Sequence, residues 1–216
     1  MKNILITGSK QGLGKAFCES FRKRGCNVIS HYRSKESSDT QEFFISGDLN
    51  NSSVRENIES ALDSQNIDVF VNNAAIYSSG DFCNYSEEEI RKVFETNLIT
   101  QFLLLQKVYN FFKEQGRGVI VNVNSLACKN ISSSEALYGA SKFGLNGFSK
   151  SLQLEAIGTG VYFLDLYLGA MKTQMAIGRS NFESLIDPVD VAELVTTMIM
   201  MDSPSCYPNE LVIRRK

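Results

Sequence analysis

Short apolar runs recur along the chain, separated by segments of helical periodicity. Asn3-Ile4-Leu5-Ile6-Thr7, Cys26-Asn27-Val28-Ile29-Ser30, Phe43-Phe44-Ile45 and Asp68-Val69-Phe70-Val71-Asn72 each predict a buried strand. So do Val119-Ile120-Val121-Asn122-Val123, which ends at Asn124-Ser125, then Val161-Tyr162-Phe163-Leu164-Asp165-Leu166-Tyr167 and the short Leu211-Val212-Ile213. Between the first two runs, Ala16, Phe17, Ser20 and Phe21 stand at helical spacing. Arg22-Lys23-Arg24-Gly25 closes that helix, with cations suited to the dipole and a glycine suited to the C′ position. A second helix starts at Asn51-Ser52-Ser53 and runs to about Ser64. Ser86-Glu87-Glu88-Glu89 is a capping box. The helix it opens is patterned from Ile90 to about Glu114, apolar at Phe102-Leu103-Leu104-Leu105, with a break expected at Thr96-Asn97. Ser132-Ser133-Ser134-Glu135 is expected to cap a helix with Tyr138 in its first turns. Asp187-Pro188 is an N-cap and N1 pair for a helix to about Met201.

Seven strands alternating with helices predict an α/β fold: three layers, with a doubly wound, parallel, seven-stranded sheet covered on both faces, the Rossmann fold. The 216 residues, 43% hydrophobic, suffice for one core, and no linker or repeat divides them. Residues 1–216 are therefore expected to form a single domain. The least regular stretch, about 169–186, is expected to be a lid over the strand ends, where ligands of α/β sheets bind.

Charge and cysteine content narrow the function classes. A net charge of −2, with both signs interspersed, offers no nucleic-acid footprint, and Arg214-Arg215-Lys216 reads as a solvated tail. Cys18, Cys26, Cys83, Cys128 and Cys206 lack metal-ligand spacing. Their odd number, with no export signal, points to reduced thiols and a cytoplasmic protein. No run approaches the ~18 apolar residues of a membrane span. The one histidine, His31, would have to serve any Ser-His-Asp triad or zinc site, yet it lies beside an expected cofactor pocket. Hydrolase and metal chemistry are therefore not expected, and no metal site is assigned.

Three patterns carry chemistry. Gly8-Ser9-Lys10-Gln11-Gly12-Leu13-Gly14, between a strand and a helix, suits phosphate: outward N–H groups, a helix N-terminus and missing side chains allow close approach. The spacing is G-x-x-x-G-x-G, and the plainer alternative is a tight βα turn. After the second strand, His31-Tyr32-Arg33-Ser34 offers no acid for a ribose 2′-hydroxyl. Arg33, with Lys10, can instead take a 2′-phosphate, favouring NADP(H) over NAD(H). Asp48, after Gly47 and before Leu49, can meet an adenine amine or cap a turn, and Asn73-Ala74-Ala75 presents small side chains to a flat ring. Finally, Tyr138 and Lys142 lie one helical turn apart on one face. A free tyrosine titrates near ~10. A fixed ammonium would favour the phenolate and so bring the phenol toward proton exchange at neutral pH.

Together these residues resemble the short-chain dehydrogenase/reductase family, in its compact single-domain branch with 3-oxoacyl-carrier-protein reductase-like members, and the likeness runs nearly end to end. Thr7-Gly8-Ser9-Lys10-Gln11-Gly12-Leu13-Gly14 matches T-G-x-x-x-G-x-G, and Asn72-Asn73-Ala74-Ala75 matches N-N-A-G with its last glycine changed. Asn97, Ser125, Tyr138 and Lys142 match the catalytic tetrad, Ser125 standing thirteen residues before the tyrosine. The resemblance implies that Tyr138 protonates a carbonyl oxygen held by Ser125. It implies that Lys142 lowers the phenol's pKa and binds nicotinamide-ribose hydroxyls, and that Asn97 positions a relay water. It places Gly8 to Gly14, Arg33, Asp48, Leu49, Asn73, Ala74, Ala75, Tyr138, Lys142, Gly169 and Thr173 against the cofactor. The implied activity is NADPH-dependent interconversion of a small-molecule carbonyl and alcohol.

Three departures qualify the likeness: Leu168 before Gly169 where the family has proline, Ala75 for glycine, and no Gly-Gly tail after the last strand. The last makes a homodimer, through the Asn97–Glu114 and Tyr138–Ile157 helices, the expected assembly, with a tetramer as the alternative. A non-catalytic NADP-binding regulator is the competing function. A nucleotide-sugar epimerase or dehydratase would need a substrate domain that the ~45 residues after Gly169 cannot supply.

Overall fold

The computed structural model describes residues 1–34, 43–130, 133–178, 181–201 and 206–216. Strands β1 (Asn3–Ile6), β2 (Asn27–Tyr32), β3 (Phe44–Ser46), β4 (Val69–Asn72), β5 (Gly118–Ser125), β6 (Val161–Leu168) and β7 (Glu210–Ile213) form one sheet. Their order is β3-β2-β1-β4-β5-β6-β7, and every neighbouring pair is parallel. Helices α1 (Gly12–Lys23), α2 (Ser52–Ser64), α3 (Glu87–Phe94), α4 (Thr100–Gln115), α5 (Ala136–Glu155) and α6 (Pro188–Ile199) connect them. The expected doubly wound α/β sheet is the observed fold.

Strand periodicity sorts the core into two layers. Ile4, Ile6, Val69 and Val71 point to one face, where Phe17 and Phe21 of α1 and Val191 and Val195 of α6 cover them. Leu5 and Phe70, between them in sequence, point to the other face, under Ile58 of α2, Leu104 and Leu105 of α4, and Leu145 of α5. Each such side chain contributes about 1.5–3 kcal/mol on burial. Helix propensities differ by only about 0.7 kcal/mol per ordinary residue. The apolar stripe therefore decides which face of each helix meets the sheet.

Several boundaries differ from the sequence reading for a common reason. β2 runs on through His31 and Tyr32, which pair with Ile45 and Ser46 of β3. β6 likewise runs on past Tyr167 to Leu168, which pairs with Ser125 at the expected end of β5. Backbone pairing with a neighbour sustains a strand beyond its apolar run. The break expected at Thr96-Asn97 is a π turn over Glu95–Ile99, between α3 and α4. The Ser86 capping box and the Asp187 cap, whose carboxylate accepts the Val189 N–H, form as expected. At α5 the expected side-chain cap is absent: Glu135 is the N-cap residue without a capping side chain, and Ser132 lies outside the described residues. Among the described residues no helix is long and apolar enough to cross a membrane.

Candidate active site

All seven strands are parallel, so their carboxyl ends share one edge of the sheet. The strand order reverses between β1 and β4, which opens a crevice at that edge. The glycine-rich turn lies there. Thr7 Oγ1 accepts the N–H groups of Asn73 and Ala74 at 3.0 and 3.1 Å, and Asn73 Nδ2 donates to the carbonyls of Thr7 and Gly8 at 2.9 and 3.1 Å. The turn after β1 and the loop after β4 are thereby stitched together. Gly8 and Gly12 have φ of +66° and +55°, and a Cβ on Gly14 would stand 2.2 Å from the Gly8 carbonyl oxygen. The turn thus needs glycine at all three positions. Helix α1 starts at Gly12 with no acid in its first turn, so its leading N–H groups face the crevice uncompensated.

The other residues assigned to a cofactor take varied places. Thr173 packs on the turn, its Cγ2 3.1 Å from where a Gly12 Cβ would be. Arg33 is exposed just past β2, and Lys10 Nζ donates to the neighbouring Ser34 Oγ at 3.3 Å, so both cations share one rim. Asp48 Oδ1 accepts the Asn50 N–H at 2.9 Å, the turn-capping alternative. Leu13 and Leu49 bury their side chains in the core, which leaves only backbone to offer. Gly169 is held by β7, its N–H donating to the Ile213 carbonyl at 3.0 Å.

On the other side of the crevice, β5 and α5 bring Ser125, Tyr138 and Lys142 together. Ser125 closes β5, its Oγ accepting the Ala127 N–H at 3.1 Å and standing beside the Tyr138 phenol, whose titration it lowers. Lys142, one helical turn along from Tyr138, is buried, and its Nζ donates to the Val123 carbonyl at 3.1 Å, 5.9 Å from the Tyr138 ring centre. Asn97 is wholly buried in the π turn. Its Oδ1 accepts the Ile76 N–H at 2.9 Å, while Nδ2 donates to the Ile76 carbonyl at 2.8 Å and to Ser141 Oγ at 3.2 Å. Ser141 Oγ in turn donates to the Tyr138 carbonyl at 2.7 Å. Asn97 therefore ties the loop after β4 to the turn of α5 that carries Tyr138.

In the protein without cofactor, burial pushes the phenol of Tyr138 up to about 12, against the lowering effect of the Ser125 hydroxyl. Burial likewise brings Lys142 down to about 8. Desolvation penalises both charged forms, so a buried acid and a buried base each move toward neutrality. The carboxylate of Glu135 adds to the rise at Tyr138.

Glu135 belongs to a pair that motif reading missed. Tyr77, after β4, donates its hydroxyl to Glu135 Oε1 at 2.6 Å and sets its ring edge-on to Tyr138, centres 5.2 Å apart. Tyr77 stands in no motif, and Glu135 falls only in the stretch expected to cap α5. The contact arises because Gly80 N–H donates to the Ser134 carbonyl at 2.8 Å, folding one loop on the other.

Comparison with known proteins gives the family and the fold. The family model described as short chain dehydrogenase matches residues 2–184. The ketoacyl reductase HetN of Nostoc sp. is 33% identical, covering 97% of this chain and 79% of its own length. The 3-oxoacyl-[acyl-carrier-protein] reductase FabG of Escherichia coli is 30% identical over 83% of this chain and 78% of its own. Among solved structures, an actinorhodin polyketide ketoreductase with NADPH superposes with a TM-score of 0.87 at 26% identity, covering 98% of this chain and 95% of that one.

Proposed function

The chain belongs to the short-chain dehydrogenase/reductase family of oxidoreductases, and on that footing we propose that it is an NADPH-dependent reductase of a ketone or aldehyde, with Tyr138 as the proton donor. The observation that carries this reading is the meeting of Tyr138, Ser125 and buried Lys142 at the end of β5, across one crevice from the glycine-rich turn.

The crevice fits a dinucleotide. A Cβ at position 8, 12 or 14 would crowd Ala74, Thr173 or the Gly8 carbonyl, so glycine keeps the turn tight, and the leading N–H groups of α1 are the donors a pyrophosphate needs. Arg33 and Lys10, on one rim, would take the 2′-phosphate, and Asp48 and Ala74-Ala75 would line the adenine and nicotinamide ends. When bound, the nicotinamide supplies the hydride. The protein's part is orientation and proton delivery. The Ser125 hydroxyl holds the substrate oxygen beside the phenol. Tyr138, pushed up to about 12, keeps its proton throughout the physiological range, the state a general acid needs for reduction. Preorganised donors aimed at a developing alkoxide lower the barrier. We give Lys142 the ribose hydroxyls of the cofactor. Asn97 is a positioning residue, and because both its amide hydrogens are engaged, any relay water would be held through an oxygen.

The segment 169–186, bridged at Met171 and Ile186, is proposed as the lid; residues 179–180 lie outside the described part. A homodimer through α4 and α5 would cover the outward Ile99, Leu103 and Phe143. Five free thiols fit a cytoplasmic protein.

Oxidation of NADPH and of NADH over a panel of ketones and aldehydes tests the activity. Binding of NADPH with turnover of none would favour a regulatory protein instead. Arg33→Ala is expected to raise the KM for NADPH about tenfold or more, the loss of a charge-assisted bond, and to leave NADH unaffected. Equal effects on both would show that Arg33 does not read the 2′-phosphate. Glu135→Gln removes a negative charge beside the phenol and so lowers the Tyr138 pKa. The alkaline limb of reductive kcat/KM is then expected at lower pH than in the native enzyme. An unmoved limb would remove Glu135 from the control of Tyr138.

A further inference from the structure

His31 is the single histidine of the chain, and it is 2% exposed within β2. Its ring spans two parts of the crevice. Nδ1 accepts the Gly8 N–H at 3.4 Å, and Nε2 lies 3.0 Å from the Gly47 carbonyl. A carbonyl only accepts and an N–H only donates, so the ring that satisfies both is neutral, with its proton on Nε2. The backbone of the same residue also grips the turn: the His31 carbonyl accepts the Ser9 N–H at 2.8 Å and the Ser9 hydroxyl at 2.9 Å. On the far side, Gly47 has φ +133°, a Cβ there would meet Val54 Cγ2 at 2.4 Å, and the next two residues are Asp48 and Leu49. One imidazole thus joins the turn suited to pyrophosphate to the loop suited to adenine.

We propose that His31 is a positioning residue for cofactor binding, holding the glycine-rich turn and the Asp48 loop in register while neutral and releasing Gly8 when protonated. Protonation puts a hydrogen on Nδ1, which then faces the Gly8 N–H donor to donor. The turn must move, or the bond is lost. This rests on the reading of the crevice as a dinucleotide site.

The charged and titratable groups around the ring do not all act alike. Burial holds His31 below the ordinary histidine range, against the raising effects of the Gly47 hydrogen bond and of Asp48, on the loop after β3. Lys10 of the turn reaches Ser34 beyond β2, Arg33 follows in the chain, and Arg22 and Cys18 of α1 reach Ser30 next to it. The unfolded chain therefore takes up this proton first, and folding stability falls as pH drops below ~6.5.

Because there is one histidine, labelled imidazole gives one set of NMR signals in the protein without cofactor. The expected result is the Nε2–H tautomer with a midpoint below ~6.5. Fluorescence titration with NADP⁺ between pH 8 and 5 supplies the second readout. His31→Asn places a non-titrating acceptor near the Nδ1 position. The native protein is expected to lose about tenfold more affinity than His31→Asn on acidification, the cost of one disrupted hydrogen bond. The ligand's own phosphate titrates near ~6 in both proteins and cancels in the comparison. An Nδ1–H tautomer, an ordinary midpoint, or equal pH slopes in the two proteins would overturn the proposal. Absence of NADP⁺ binding with the expected tautomer and midpoint would overturn the dinucleotide reading and the cofactor role of His31, and leave its tie between Gly8 and Gly47 standing.

Discussion

Replacement of Tyr138 by phenylalanine is expected to lower kcat about a hundred- to ten-thousandfold, the usual contribution of a positioned general acid, while the Kd for NADPH stays within about twofold of the native value. The substitution removes one oxygen and leaves the ring. The edge-on contact with Tyr77 persists, as does the Ser125 bond to the Ala127 N–H, so the fold has no reason to change. What is lost is the phenol hydroxyl beside Ser125 at the end of β5. Single-turnover kinetics at saturating NADPH, with a carbonyl substrate from the panel, separate the chemical step from binding. Activity near the native level would show that the substrate oxygen takes its proton elsewhere.

The second large effect concerns the turn. For Gly14→Ala, two terms compete. Alanine is favoured over glycine in a helix by about 1 kcal/mol, and Gly14 lies in the first turn of α1. Against this, the added Cβ would meet the Gly8 carbonyl oxygen at 2.2 Å and Asn73 Nδ2 at 2.6 Å. The first of these is backbone and cannot rotate away, and the second already bonds Thr7 and Gly8. Overpacking of this kind costs about 1–3 kcal/mol. The net expectation is a lower Tm and NADP⁺ binding about ten- to a hundredfold weaker, if most of the strain falls on the turn itself. A rise in Tm with unchanged affinity would mean that propensity wins and that the close approach is not a constraint.

Much of the site was legible before any coordinates because it rests on local rules. Gly8, Gly12 and Gly14 follow from backbone geometry that other residues strain. The Ser86-Glu89 box and the Asp187-Pro188 start follow from unpaired helix N–H groups. Tyr138 and Lys142 follow from the pitch of a helix. The expected side-chain cap of α5 did not form, because the loops around residues 133–135 answer to contacts with the loop after β4 rather than to their own helix.

The amino-acid sequence by itself determined the alternation of strands and helices, the two-layer sorting of apolar side chains and the residues available for chemistry, since these depend on neighbours within a few positions. Only the tertiary structure decided that Tyr138 and Lys142 are both pushed toward their neutral forms, that Asn97 clasps Ile76 and Ser141, and that Tyr77, Glu135 and His31 stand where they do. Those outcomes depend on solvent excluded, and bonds made, by segments far apart in the chain. Burial and long-range hydrogen bonding are properties of the packed molecule, and no local pattern encodes them.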